Sequence, residues 1–253
     1  IAPFRRLIIS PHLFWHYLPF HALLDKDERA YLCDHFEIGY CHSASVLRGC
    51  LRKERTGREE ALILCKDDGD LPNAALEAMR LARIFGSSCK VFTGTEACLE
   101  RIEESEGNID VIHLSCHGIF NAEQPFLSGI DIPPYRDDQR RTYLLDLFNL
   151  RLDCSLMAIS ACESGVSQLS SADELIGLSR GIFYAGAASA LLSLWKVADE
   201  STCVLMEDFY RHFIGERKKK TESMRLAMGR LKAQKEFTHP YFWAPFVLTG
   251  DWR

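Results

Sequence analysis

The stretch Ile109–Gly118, which reads Ile-Asp-Val-Ile-His-Leu-Ser-Cys-His-Gly, decides the fold together with Leu156–Gly165, which reads Leu-Met-Ala-Ile-Ser-Ala-Cys-Glu-Ser-Gly. Both begin as short, mostly apolar runs, which are typical of strands buried on both faces of a parallel sheet. Each run ends at a reactive side chain, His117 in the first and Cys162 in the second. We therefore predict two buried strands that each present one reactive group where the strand gives way to a loop.

Outward from these two strands, the pattern alternates strands with helices. Such alternation predicts an α/β fold with a mostly parallel central sheet covered on both faces. In folds of this class, the functional groups lie just outside the C-terminal ends of the strands. The other predicted strands are Leu7–Ser10, Phe36–Cys41, Ala61–Cys65, Lys90–Phe92, Ala188–Trp195 and Phe246–Leu248. The predicted helices are Ser43–Arg52, Asn73–Phe85, Glu96–Glu104, Asp173–Tyr184, Glu200–Ile214 and Ser223–Lys235.

The 253 residues suit one large domain, because neither a repeat nor a clear linker interrupts the pattern. We expect a single domain over 1–253, with residues 1–60 as a candidate subsidiary layer. The chain starts at Ile1 rather than Met, so we expect a domain from a longer protein. Asn121–Tyr143 is the longest irregular stretch, and loops of that length are usually functional or mobile.

Composition excludes several classes of function. A net charge of -5 gives no reason to expect direct nucleic-acid binding, and the apolar runs are too short to predict a membrane span. The ten cysteines include no C-x-x-C pair and several sit inside apolar runs, so we expect reduced thiols and a cytoplasmic location. Neither a cofactor nor a metal is expected, because a zinc site from Cys116, His117 and Cys162 lacks paired ligand motifs.

His117 and Cys162 together suit nucleophilic catalysis. A thiol needs a nearby base to become a thiolate at neutral pH, and imidazole is such a base. Gly118 allows close backbone approach, and its N–H is a candidate donor to a developing oxyanion. His113 lies four residues before His117, and this even separation would place both side chains on the same face of a regular strand. Its apolar neighbours nevertheless favour a buried, hydrogen-bonded histidine over a second base.

The chain resembles the CHAT family of caspase-like peptidase domains, which are often joined to tetratricopeptide repeats. The resemblance implies a caspase-like α/β/α sandwich and a cysteine endopeptidase that cleaves protein substrates. It assigns His117 as base and Cys162 as nucleophile, with the backbone N–H groups of Gly118 and Cys162 as oxyanion hole. The matching segments are Leu18–Leu23, His113–Gly118, Pro125–Gly129, Ile159–Gly165, Asp173–Arg180, Ala185–Ala187, Leu194–Thr202 and His239–Trp252.

The same resemblance offers Trp195 and Asp199 as substrate-binding residues beside the S1 pocket. An Asp there favours Lys or Arg at P1, whereas a pocket walled by Trp195 equally suits an apolar P1. The alternatives are that Asp199 caps the helix that follows it and that Trp195 is a core residue. Both pairs of alternatives stay open at the level of sequence.

The resemblance also implies regulation by a repeat domain or an activating partner protein. The alternative function is a catalytically silent interaction module with the same fold. Arg217–Lys220 is a run of four basic residues, which we interpret as a solvated loop between two helices or as a docking patch for an acidic partner.

Overall fold

The computed structural model describes residues 4–53, 60–66, 72–105, 108–119, 124, 127–136, 141–161, 172–195 and 198–253. Its strands are β1 (Arg6–Ile9), β2 (Leu24–Asp25), β3 (Ala30–Tyr31), β4 (Glu37–Tyr40), β5 (Ala61–Cys65), β6 (Cys89–Thr93), β7 (Val111–Cys116), β8 (Gly118–Ile119), β9 (Gly129–Ile130), β10 (Thr142–Tyr143), β11 (Leu156–Ala161), β12 (Ser189–Ser193) and β13 (Phe246–Gly250). Its α-helices are α1 (Leu32–His35), α2 (Ala44–Leu51), α3 (Pro72–Phe85), α4 (Glu100–Glu103), α5 (Leu144–Asn149), α6 (Ala172–Ala185), α7 (Asp199–Tyr210), α8 (Lys220–Lys232) and α9 (Pro240–Trp243).

Eight of the described strands form the central sheet, in the order β1-β4-β13-β12-β11-β7-β5-β6. Every neighbouring pair is parallel except β12 and β13, which are antiparallel. The sheet therefore contains five strands that run in one direction and three that run in the other. The predicted α/β class with a mostly parallel sheet is confirmed, while the reversal at β13 was not predicted.

Helices cover both faces of this sheet. Alternate residues of a strand point to opposite faces, and β7 follows that rule. Ile112, Leu114 and Cys116 join a buried cluster with side chains of α5 and α6. Val111 joins a second buried cluster with side chains of α3, α7 and α8. The result is the expected α/β/α sandwich, with β7 and β11 in its middle.

Local signals placed most elements correctly. Helix α2 begins where Ser43 predicts, since the Ser43 hydroxyl accepts a hydrogen bond from the Val46 amide at 3.2 Å. The predicted helix over Glu96–Glu104 is wrong in extent, because a 3₁₀ turn at Gly94–Glu96 precedes a single turn of α4.

Strands β1 and β4 lie in the central sheet, and a subsidiary layer over residues 1–60 stays a prediction. Two further expectations need correction. Within the stretch predicted to be irregular, β9 and β10 pair with each other, and β9 also pairs with β8. Lys220 is fully buried at the start of α8 instead of lying in a solvated loop, because its ammonium donates to the Asp251 carbonyl at 3.2 Å.

Among the residues that the structure describes, no helix combines the length and the apolar composition that crossing a bilayer requires.

Candidate active site

The two reactive positions follow neighbouring strands at the same edge of the sheet. Strands β7 and β11 are parallel, and their register pairs Ser115 with Ser160 and Cys116 with Ala161. Along the chain, Cys116 directly precedes His117 and Ala161 directly precedes Cys162. Cys162 itself lies outside the described residues. The structure therefore shows the position of His117 and the strand register that leads to the two reactive positions.

Hydrogen bonds hold the backbone on the C-terminal side of His117. His117 is buried, and its carbonyl accepts a hydrogen bond from the Asp131 amide at 2.8 Å. Gly118 begins β8, which pairs with β9. Gly129 of β9 passes so close to β10 that a Cβ there would lie 2.0 Å from the Thr142 carbonyl oxygen, so only glycine fits. The segment that follows the strand end is therefore held by a second, three-stranded sheet.

A buried polar cluster surrounds His113, four residues before His117. The His113 ring places Nδ1 3.1 Å from the Tyr210 hydroxyl and Nε2 2.9 Å from Glu77 Oε1. Ser115 donates to the same Oε1 at 2.5 Å, and Ser160 donates to Oε2 at 3.4 Å. The interpretation of His113 as a buried, hydrogen-bonded histidine is confirmed, since its side chain is fully inaccessible.

One assignment of protons satisfies the whole cluster. Burial raises the pKa of Tyr210 well above 10, so its phenol stays protonated and donates to His113 Nδ1. His113 then carries its proton on Nε2 and donates to Glu77, and both serine hydroxyls donate as well. The carboxylate of Glu77 thus receives donors on both oxygens. Burial, and to a smaller extent the charge of Glu77, raises the pKa of the Cys203 thiol to about 12.

Sequence analysis missed Glu77, although a signal was present. Ala74, Ala78 and Leu81 form the apolar stripe of α3, and Glu77 lies three residues after the first and four before the last. The helical period therefore places a carboxylate on the face that packs on the sheet. A buried carboxylate needs partners, and the serines and His113 of β7 and β11 supply them.

Trp195 and Asp199 follow β12, at the same edge of the sheet as His117. The indole Nε1 of Trp195 donates to the Tyr241 carbonyl at 3.1 Å, and the half-buried ring packs against two core clusters. This contact fits the core interpretation of Trp195. Its role in the S1 pocket stays a prediction.

Asp199 does not cap its own helix, so that alternative is wrong. The N-cap position of α7 is Ala198, whose backbone is extended and whose carbonyl accepts from the Ser201 and Thr202 hydroxyls. The Asp199 carboxylate instead accepts from the Asn73 amide at 2.8 Å, at the start of α3. The first amides of a helix lack partners within the helix, and a carboxylate satisfies one of them. Asp199 thereby ties together the starts of two helices.

Two other histidines, buried His21 and half-buried His42, lie outside this polar cluster. His21 places Nδ1 2.7 Å from the Tyr40 hydroxyl and Nε2 3.0 Å from the Ala244 carbonyl oxygen, and burial lowers its pKa to about 4. His42 lies 2.8 Å from the Ser179 hydroxyl, and burial likewise lowers its pKa to about 4. Both rings are neutral at physiological pH.

In the described part of the chain, no group of three His, Cys, Asp or Glu side chains is arranged to hold an ion. Cys116 packs in the apolar cluster on the face opposite to Val111. The nine described cysteines are free thiols.

Solved structures with the same architecture define the class of fold. Separase from Saccharomyces cerevisiae, in its complex with securin, matches with a TM-score of 0.60 and 13% identity, over 93% of this chain and 14% of that chain. The Arg-specific cysteine proteinase gingipain R matches with a TM-score of 0.53 and 11% identity, over 85% of this chain and 54% of that chain. This protein therefore has a caspase-like fold.

The family is more specific than the fold. The CHAT domain model matches residues 1–251, so the chain belongs to the CHAT domain family, as its motifs predicted. Tetratricopeptide repeat protein 28 of Mus musculus is 25% identical over an alignment of 218 residues, and the match covers 72% of this chain and 9% of that protein. The human protein of the same name is 23% identical over 72% of this chain and 8% of its own length. The chain thus spans less than a tenth of the curated relatives that it matches.

Proposed function

We propose that this chain is a cysteine endopeptidase domain that cleaves protein substrates, with His117 as base and Cys162 as nucleophile. The observation that carries the proposal is the register of β7 with β11, which pairs the residues directly before these two. Membership of the CHAT family and the caspase-like fold support the same chemistry.

The proposed reaction uses groups of this chain alone. The His117 imidazole takes the thiol proton of Cys162, and the thiolate attacks the scissile carbonyl carbon. The backbone N–H groups of Gly118 and Cys162 stabilise the oxyanion that develops. His117 then protonates the leaving amine, and water hydrolyses the thioester to regenerate the free thiol.

Substrate choice is proposed to depend on the region around Asp199 and Trp195. One Asp199 oxygen is engaged by the Asn73 amide, and a carboxylate has a second oxygen with acceptor capacity. We propose that this oxygen favours Lys or Arg at P1, a preference for which gingipain R, Arg-specific by its name, offers a parallel. A pocket formed mainly by Trp195 would select an apolar P1 instead.

Regulation is proposed to come from a repeat domain or an activating partner. The relatives' name describes repeat proteins, and this chain matches less than a tenth of their length. Part of the stretch 121–143 lies outside the described residues, whereas β9 and β10 within it pair with each other. We propose a cytoplasmic protein that acts on proteins or peptides and does not bind nucleic acid directly.

The second candidate function is an interaction module that keeps the fold without catalysis. The curated relatives favour it, because their name refers to repeats and not to a peptidase. The intact His117 and Cys162 of this chain favour the enzyme.

Covalent labelling separates these two candidates. A thiol-reactive peptide electrophile should label Cys162 of the wild type and fail to label Cys162→Ala, and peptide-library profiling should then give a P1 preference. Cys89 is a suitable reference thiol, because it is partly exposed and burial raises its pKa to about 11. Labelling of Cys162 no faster than that of Cys89, with no cleavage of any library peptide, would leave the interaction module as the better account.

A further inference from the structure

Ser115 and Ser160 occupy equivalent places on the two central strands. They are register partners on β7 and β11, and both hydroxyls point to the face covered by α3. Ser115 lies two residues before His117, and Ser160 lies two residues before Cys162. Any group that holds both serines therefore fixes the spacing of the two strand ends.

Glu77 is such a group. Its carboxylate is 3% exposed and comes from α3, which packs across the sheet. Oε1 accepts from Ser115 at 2.5 Å and Oε2 accepts from Ser160 at 3.4 Å, so one carboxylate bridges β7 and β11. His113 fixes the carboxylate itself, since its Nε2 lies 2.9 Å from Oε1.

Stability alone does not account for this arrangement. Removing a carboxylate from water costs several kcal/mol, and apolar replacements of buried charged groups are often neutral or stabilising. The residues around Glu77 on the same face include Ala74, Ala78 and Leu81, which already form a close-packed core. A polar bridge in this place, directly before the strand ends, suits a role in positioning.

We propose that Glu77 is a positioning residue that sets the geometry of His117 relative to Cys162 through Ser115 and Ser160. The inference rests on the proposed function, because it concerns the residues of that same site. Glu77 touches neither substrate nor reacting atoms; it acts through the two strands.

The other end of the same two strands offers a matched control. Ser155 directly precedes β11, and its hydroxyl donates to Asp110 Oδ2 at 3.0 Å, directly before β7. Ser155 is as buried as Ser160, with exposures of 6% and 5%. Ser155→Ala therefore removes a comparable buried hydroxyl that joins the same strands, but at the edge away from His117.

The experiment compares Ser115→Ala, Ser160→Ala and Glu77→Gln with Ser155→Ala. For each variant, the rate of Cys162 alkylation by iodoacetamide is measured against pH by peptide mass spectrometry. The values of kcat and KM on the best library peptide and the melting temperature complete the set. If Glu77→Gln does not fold, the two milder serine variants carry the test.

We expect Glu77→Gln and Ser115→Ala to lower kcat about 10- to 100-fold while KM changes less than about twofold, because small displacements of reacting groups are costly. The pH midpoint of Cys162 alkylation should move upward, since a displaced imidazolium stabilises the thiolate less. Ser160→Ala should act in the same direction and more weakly, because its hydrogen bond is longer. Ser155→Ala should lower the melting temperature like Ser115→Ala and leave kcat and the alkylation midpoint at wild-type values.

Equal effects of Ser115→Ala and Ser155→Ala on kcat and on alkylation would overturn the positioning role, even if the wild type cleaves peptides well. If the wild type cleaves no peptide but Ser115→Ala alone shifts the alkylation midpoint, the endopeptidase proposal fails and the positioning role stands. A wild-type Cys162 that titrates as an ordinary thiol near about 8.5 would overturn both.

Discussion

The two faces of the central sheet differ in what the strand side chains meet. On one face, Ile112, Leu114 and Ile159 pack in a cluster of apolar side chains. On the other face, His113, Ser115 and Ser160 of the same two strands surround the carboxylate of Glu77. The apolar face contributes to stability through burial, whereas hydrogen bonds restrict the positions of donors and acceptors more narrowly. The contrast teaches that position is specified most tightly on the face that carries the polar cluster, just before His117 and Cys162.

The largest expected effect comes from removing the two reactive side chains while the packing on both faces of the sheet is retained. His117→Ala and Cys162→Ala should each lower cleavage on the order of 10⁴-fold or more, and the double variant should be no worse, because the two groups act as one unit. Cleavage of the profiled peptide and the melting temperature are the measurements. Cys89→Ala is the control and should remain active. Full activity in either single variant would end the dyad hypothesis.

A pair of substitutions one residue apart tests the two faces directly. Leu114→Ala should lower the free energy of unfolding by about 2–5 kcal/mol, because a fully buried side chain leaves a cavity. His113→Ala should cost about 1–3 kcal/mol, the range for a lost buried hydrogen bond. Denaturant titration gives both values. Normal stability of His113→Ala would contradict the loss of a buried hydrogen bond.

The pH dependence of stability gives a further test, through the buried histidine His21. The pKa of His21 is about 4 in the folded state and 6.5 when unfolded, so the unfolded chain binds the extra proton between these values. Stability should therefore be full above about pH 6.5 and fall by about 3 kcal/mol as the pH drops to about 4. His42 acts in the same direction. Denaturant titrations from pH 7.5 to 4 measure the slope, and His21→Gln should flatten it. An unchanged slope in that variant would contradict the assignment.

The smallest expected effect concerns Asp199. Asp199→Asn should hardly change stability, since an amide oxygen still accepts from the Asn73 amide, whereas Asp199→Ala should cost about 0.5–2 kcal/mol. If Asp199 also lines S1, the Asn variant should lose cleavage after Lys or Arg selectively. A peptide library profiled with both proteins gives the answer. Cleavage mainly after Asp would contradict the basic and the apolar P1 preference alike.

Sequence predicted the parts of this structure that local patterns determine. Strands β5, β7 and β11 are short apolar runs, and α2 and α3 carry a capping serine and a helical apolar stripe. These signals lie within one element, so a single sequence is enough to find them. The position of His117 at the end of a buried central strand follows from the same reasoning.

Long-range partners account for what sequence could not predict. The bridge by Glu77 joins residues that are 38 and 83 positions away along the chain. Asp199 was expected to cap its own helix, but the amide that it binds belongs to α3, 126 positions away. The pairing of β9 with β8 and β10 likewise depends on residues brought together only by the folded chain.

The placement of β13 has a consequence for how the sheet assembles. Among the strands that the structure describes, β13 is the last along the chain, yet it lies between β4 and β12 in the middle of the sheet. Strands β1 and β4 are therefore joined to the other described strands of the sheet through the pairing of β4 with β13. Contacts between distant segments form slowly, so we expect this pairing to complete the sheet late in folding. Removal of Phe246–Gly250 would leave the sheet divided in two.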